Sequence, residues 1–226
     1  MMLSQLNPKL LIAWTRIQLV KTEDFWDAKA HVYAKSVITD EKSYKKKLTQ
    51  TQALLAPHMR VLEFGCGTGT TAVRHAPYVQ HIDAIDISQQ MIEIGRRRAD
   101  KAKVDNITFT RGTLASFNAD TASLDAVLGL NIMHLLPDWQ SAITEVARTL
   151  KPGGVFVSST GCLGGSYLRL IKLLVPLGKR FGFMPDVFII TESQLAKAIK
   201  SSGFVIQTQW HHGVQGINVF IVARKK

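Results

Sequence analysis

The sequence predicts an α/β fold: a doubly wound sheet of seven strands, mostly parallel, ending in a C-terminal antiparallel hairpin. Three observations predict it. Strand-like apolar runs at 60–64, 81–86, 107–110, 124–130 and 154–160 alternate with helical runs at 69–76, 88–102 and 138–149. Two last strand-like runs, 204–210 and 217–223, are parted only by a short connection, HHGVQG, which suits an antiparallel pair. The first strand breaks into three closely spaced glycines, Gly65, Gly67 and Gly69, just before a helix begins.

Ahead of the first strand, residues 1–56 read as a helical cap. Residues 1–20 carry one apolar side (Leu6, Leu10, Leu11, Trp14, Ile17), and Phe25–Ser36 places Trp26, Ala30 and Tyr33 at helical spacing. The stretch 40–56 is a basic helix with Lys45, Lys46 and Lys47 expected in solvent. Ser88 is a natural N-cap for the helix 88–102, and Thr191 caps a helix over 191–201 with Gly203 past its end. KPGG (Lys151–Gly154) reads as a turn before the fifth strand. Residues 161–190 look like a lid-like insertion, because 166–183 is apolar with four basic residues and is interrupted by Pro176. With no internal repeat and no long linker, 1–226 reads as a single domain.

Composition narrows the function. The 46% hydrophobic and 20% charged content belongs to a folded globular chain and excludes intrinsic disorder. No apolar run reaches the roughly 18 residues of a spanning helix. The short apolar core at Leu10–Trp14 is followed by Arg16 and by no small-residue cleavage site, so it does not read as a signal peptide. Two cysteines, Cys66 and Cys162, form neither a C-x-x-C metal motif nor a disulfide scaffold, which points to a reducing, cytoplasmic setting. A net charge of +11 suits an anionic partner, whether nucleic acid, a membrane surface or an acidic small molecule, or simply a basic surface.

The stretch RVLEFGCGTGTT (Arg60–Thr71) carries the chemistry. Glycines let a ligand touch the backbone, and the helix that follows presents free N–H groups. Asp86 follows Gly65 by 21 residues at the tip of the second strand, where a carboxylate can accept both ribose hydroxyls. The spacing is G-x-G-x-G rather than the dinucleotide pattern G-x-G-x-x-G, and Glu63 precedes it. A carboxylate there repels a pyrophosphate but balances a cationic cofactor end, so a sulfonium cofactor is favoured over a nicotinamide dinucleotide.

EFGCGTG, then DAIDIS, LDAVLGLNIMHLLPD and LKPGG together resemble a class I S-adenosylmethionine-dependent methyltransferase of Rossmann-like fold. The resemblance covers roughly 58–160, and WDAKAHVYAKS is similar to the entry helix of small-molecule members, including the quinone-biosynthesis group. It implies that S-adenosylmethionine is the cofactor and S-adenosylhomocysteine the product. Glu63, Gly65, Cys66 and Gly67 would then line the methionine part and Asp86 would hold the ribose. Ile87 and Met91 would flank the adenine, with Thr113 and Leu114 beside it, although many members carry an acid at the place of Thr113. Asn131 would face the methionine chain.

For catalysis, His134 sits where a substrate would enter and is a candidate general base; a lining role is the plainer alternative. Tyr33 would touch the cofactor or the substrate, or pack in the core. His211 and His212 read as surface residues near a turn, and no spacing makes a metal site. The acceptor is expected to be a small molecule, and the basic amphipathic 166–183 suggests a lipophilic or lipid-like one with peripheral membrane contact. A nucleic-acid methyltransferase is the main alternative. Against it, no aromatic stands beside Asn131, and Lys45–Lys47 and Arg96–Arg98 fall on helices away from the carboxyl ends of the strands. A nicotinamide-dependent oxidoreductase is disfavoured by the loop. The acceptor atom and oligomeric state are not legible.

Overall fold

A computed structural model describes residues 21–165, 175, 178 and 183–226. The helix expected over 1–20 and most of the segment 166–183 lie outside these residues. Ahead of the sheet come α1 (Thr22–Lys35) and α2 (Glu41–Gln52). The body then runs β1 (Arg60–Phe64), α3 (Thr70–His75), β2 (His81–Asp86), α4 (Gln89–Ala102) and β3 (Ile107–Arg111). It continues through α5 (Leu114–Phe117), β4 (Leu124–Leu130), α6 (Trp139–Thr149) and β5 (Leu150–Gly161). The described residues close with α7 (Glu192–Ser201), β6 (Phe204–His212) and β7 (Asn218–Lys225).

The seven strands form one sheet in the order β3-β2-β1-β4-β5-β7-β6. Strands β1 to β5 are parallel, and β7 is antiparallel to both β5 and β6. The hairpin is therefore folded back, with β7 inserted between β5 and β6. Strand order reverses between β1 and β4, and ligands of open α/β sheets bind in the crevice at such a reversal.

Each face of the sheet is covered. Leu62 and Phe64 pack with Ile143 and Val146 of α6 and Leu195 and Ile199 of α7. Val61 turns to the other face, with Ala72 of α3 and Ile92 and Ala99 of α4. This is the period of two that a strand imposes. Glu63 shares the Val61 side and is dragged into the interior with it.

Two local expectations change. KPGG is not a turn outside the strand. It is bulged out within β5: Leu124 pairs with Leu150, Ala126 with Val155, and the register shifts between them. The helix α5 was not anticipated, because four residues are too few to show a helical period. It is set by a capping box in which Thr113 and Ser116 satisfy each other's backbone N–H.

Of the lysine cluster on α2, Lys45 and Lys46 are exposed as expected, Lys45 beside Glu41 and Lys46 with its ammonium 3.9 Å over the Trp210 ring. Lys47, in contrast, is half-buried, and burial pushes its ammonium below its usual range. With Trp210 Nε1 donating to Gln50 Oε1 at 2.8 Å, these contacts pin α2 to β6. Among the described residues no helix is long and apolar enough to cross a membrane.

Candidate active site

The loop after β1 is shaped by its glycines. Gly65, Gly67 and Gly69 have φ of +64°, +53° and +69°, a region that costs other residues strain. Gly65 is also sterically required, since a Cβ there would meet Ile132 Cγ1 at 2.6 Å. Asp86, at the end of β2, fixes the loop: its Oδ2 accepts from Gly67 N at 2.9 Å and its Oδ1 from Ser88 N at 2.9 Å. Burial raises the Asp86 carboxyl above its usual range, and these N–H donors oppose the rise.

Over this loop lies a cavity with an empty volume of about 830 Å³, part of it open to solvent. Its floor is Gly65, Gly67 and Asp86, and one wall is Ile87, Met91, Gly112, Thr113 and Leu114. Leu130, Asn131, Ile132, Leu135 and Leu136, from β4 and the turn after it, form the opposite wall. Thr22, Trp26 and Tyr33 of α1 supply a third side. Trp26 and Tyr33 meet edge to face, with centroids 6.4 Å apart, and Tyr33 stands over Gly67. Asp27 holds this helix down by accepting from Ser88 Oγ at 2.5 Å and Gln90 N at 3.0 Å. Thr22 donates to Asp186 at 3.3 Å, joining α1 to the chain that leads into α7.

Nine of the residues singled out from sequence therefore meet around one space: Tyr33, Gly65, Gly67, Asp86, Ile87, Met91, Thr113, Leu114 and Asn131. Three do not line it. Glu63 lies below the loop, 2% exposed, with no hydrogen-bond partner at Oε2 among the described residues. Its carboxyl is pushed up to about 8, first by burial and then by the Asp86 charge. The Cys66 side chain belongs to the core on the Val61 side, and burial holds its thiol well above the usual range, so it is an unreactive thiol.

His134 is the third. Its ring is turned to β5, where Nδ1 accepts from Gly161 N at 3.4 Å. A nitrogen that accepts from a backbone N–H carries no proton, so the neutral ring holds its hydrogen on Nε2. Burial lowers the His134 pKa and keeps the ring neutral. In this tautomer Nε2 is a hydrogen-bond donor, and service as a base would require giving up the Gly161 contact.

The structure also brings in residues that the sequence reading set aside. Asn131, at φ +58°, accepts from Ser159 Oγ at 3.0 Å, and Ser159 Oγ lies 3.1 Å from His212 Nε2. A hydroxyl has one hydrogen, so with it given to Asn131, His212 donates. His212 is thus buried and linked to the cavity wall rather than exposed, and burial, with the Lys47 charge, pushes it down to about 4. Simple alternation from Phe204 does not predict this, because a bulge between Ile206 and Thr208 shifts the register and moves the later even positions to the face of Trp210. His211 turns outward and meets Glu192 at 2.9 Å. Arg98 likewise reaches the glycine loop instead of standing away from it. Among the described residues no group of three or more His, Cys, Asp or Glu side chains is arranged to hold a metal.

Comparison with known proteins agrees with this geometry. Residues 61–154 match the family model described as a methyltransferase domain. The chain is 31% identical over 190 residues to a demethylmenaquinone methyltransferase of Leptospira interrogans, covering 74% of this chain and 76% of that protein. This chain belongs to the class I S-adenosylmethionine-dependent methyltransferase family. It is also 34% identical over 110 residues to the uncharacterized methyltransferase YcgJ of Bacillus subtilis, spanning 49% of this chain and less than half, 43%, of that one. The crystal structure of YcgJ superposes with a TM-score of 0.67 at 19% identity, over 80% of this chain and 99% of that chain, which shows the shared fold.

Proposed function

We propose that this methyltransferase moves a methyl group from S-adenosylmethionine to a small, lipophilic acceptor. The observation that carries the acceptor class is the cavity lining outside the residues that fit the donor: it is chiefly Trp26, Leu130, Ile132, Leu135 and Leu136. Apolar walls with few polar groups select apolar ligands. The Leptospira relative is named for a menaquinone precursor, which is consistent with that choice.

The residues present fit the donor. Asp86 is a half-buried carboxylate on the floor, suited to a ribose diol. Gly65 and Gly67 leave backbone open where a methionine chain would lie, and Asn131 stands across from them. Ile87, Met91, Thr113 and Leu114 make a flat apolar slot for an adenine. Thr113 already accepts from Ser116 N, so its hydroxyl keeps only a second lone pair for a ligand. The Glu63 carboxyl below the loop, neutral in the free protein below about pH 8, would supply negative potential for a cationic group once it ionises. When bound, S-adenosylmethionine would supply an electrophilic methyl on a sulfonium. The protein's work is then to align the acceptor with that methyl and to keep water out. A site with α1 across one side serves both ends. Tyr33 lines the cavity and is placed to orient either ligand, whereas His134 is turned to β5 outside it.

In this reading residues 1–56 are a cap over a single domain and 161–190 are a lid. Val32, Val37 and Ile38 are exposed where α1 ends, and Phe183 where the lid segment ends. With the net charge of +11, they favour a cytoplasmic enzyme that touches an anionic membrane to collect its acceptor. The test is transfer of labelled methyl into cell extract, split into lipid, nucleic-acid, protein and water-soluble fractions. Label in the lipid fraction is expected. Label confined to the water-soluble fraction overturns the lipophilic acceptor, and label in nucleic acid establishes the alternative.

A further inference from the structure

The geometry points to Arg98 as the positioning residue that locks the cap helix to the donor loop, an inference that rests on the methyl-donor reading above. Arg98 lies on α4 in the run Arg96–Arg98. Arg97 is exposed, and the exposed Arg96 donates to Phe109 O at 2.6 Å on the neighbouring strand. Arg98 instead is partly buried and divides its guanidinium between the glycine loop and the end of α1. Nη1 donates to Thr68 O at 2.9 Å and to the hydroxyls of Thr68 and Thr70. Nη2 donates to Ala34 O at 2.9 Å.

Both sets of acceptors have consequences. Thr68 stands between Gly67 and Gly69, so Arg98 grips the loop from one side while Asp86 grips Gly67 from the other. Ala34 is in the last turn of α1, where carbonyls lack helical partners and the helix end is negative. It directly follows Tyr33, which stands over Gly67 and lines the cavity. A cation bound to both elements fixes the distance between the floor (Gly65, Gly67) and the side formed by Trp26 and Tyr33. Ligand contact with the loop is thereby felt by α1. The planar fork is essential, because a lysine ammonium is a single compact donor and does not span two diverging acceptor groups.

The test measures S-adenosylhomocysteine binding to the full chain by calorimetry, together with amide hydrogen exchange of residues 22–35 with and without it. In the native chain the ligand is expected to slow exchange across 22–35. Arg98→Gln is expected to weaken binding at least tenfold and to abolish that slowing. Arg98→Lys is expected to restore little of either, and the neighbouring Arg97→Gln to change neither. A merely structural role would speed exchange equally in free and bound protein; a positioning role removes the difference between them. Should Arg98→Gln not fold, the paired change Thr68→Val and Thr70→Val removes two acceptors with the charge retained and is expected to give a smaller loss of both. Native binding with Arg98→Gln, or with the threonine pair, within twofold of native and the slowing intact overturns the role of Arg98 alone. A native chain that binds no S-adenosylhomocysteine overturns the donor reading, and this inference with it.

Discussion

Gly67 gives its backbone N–H to the Asp86 carboxylate at 2.9 Å, so the acid that would receive a ribose also shapes the loop beside it. The two tasks separate by substitution. Asp86→Ala is expected to weaken S-adenosylhomocysteine binding by about 1–3 kcal/mol, roughly ten- to a hundredfold. It should also lower unfolding stability by about 1–2 kcal/mol through the orphaned N–H groups of Gly67 and Ser88. Asp86→Asn keeps one acceptor oxygen and should recover more stability than affinity. Calorimetry and urea unfolding on the same samples decide it; unchanged affinity in both variants removes Asp86 from the site.

The loop glycines are expected to differ in sensitivity. A Cβ at Gly65 would strike three atoms of Ile132 between 2.6 and 2.9 Å, whereas at Gly67 it would meet only Tyr33 Cε1, at an ordinary 3.7 Å. Both residues have positive φ, costing an alanine roughly 1–2 kcal/mol. Gly67→Ala should therefore lose about that much stability, and Gly65→Ala clearly more, with a displaced Ile132. Equal losses in thermal and urea unfolding would contradict the steric account.

The fold was legible because its signals are local and repeated. Apolar runs of strand length, caps at Ser88 and Thr191, and the glycine loop each announce themselves within a few residues. Asp86 was legible because strand ends are easily counted. The missed contacts depend on tertiary placement. Nothing in the run Arg96–Arg98 says which guanidinium will reach Thr68, because that depends on how α4 rotates against the loop. Lys47 reads as solvated until the packing of α2 half-buries it. Glu63 was recognised by charge, yet strand alternation puts it beneath the loop rather than on the cavity wall. His134 was read by type as a base, while the backbone of β5 dictates its tautomer.

Glu63 is expected to make ligand binding and folding depend on pH with opposite signs. Its carboxyl rises from 4.5 to about 8 in the folded chain. Between those values the native state holds a proton that the unfolded state lacks. The associated stability is present in full below about pH 4.5 and is lost as pH rises through about 8. A cationic ligand end favours the carboxylate, so binding expels that proton. Affinity for S-adenosylmethionine should rise from pH 6 to 8, by up to about tenfold per unit, while the melting temperature of the free protein falls. Glu63→Gln should flatten both trends. Calorimetry in buffers of different ionisation enthalpy reads the proton release directly, and none at pH 7 would refute the linkage.

His75, the last residue of α3, is fully buried, and neither ring nitrogen has a hydrogen-bond partner among the described residues. Burial lowers it from 6.5 to about 4, so the folded protein holds it neutral. Below pH 6.5 the unfolded chain takes up a proton that the native chain refuses. Stability present above 6.5 is therefore lost as pH falls towards about 4. At pH 5 this loss amounts to about 2 kcal/mol. His75→Leu removes the titration and two unpaired polar atoms. It should be neutral or about 1 kcal/mol stabilising at pH 7, and more stable than the native chain by a wider margin at pH 5. Urea unfolding at the two pH values measures that margin. An equal difference at both would mean that His75 is protonated in the folded protein, with a partner supplied by water or by a shift of α3.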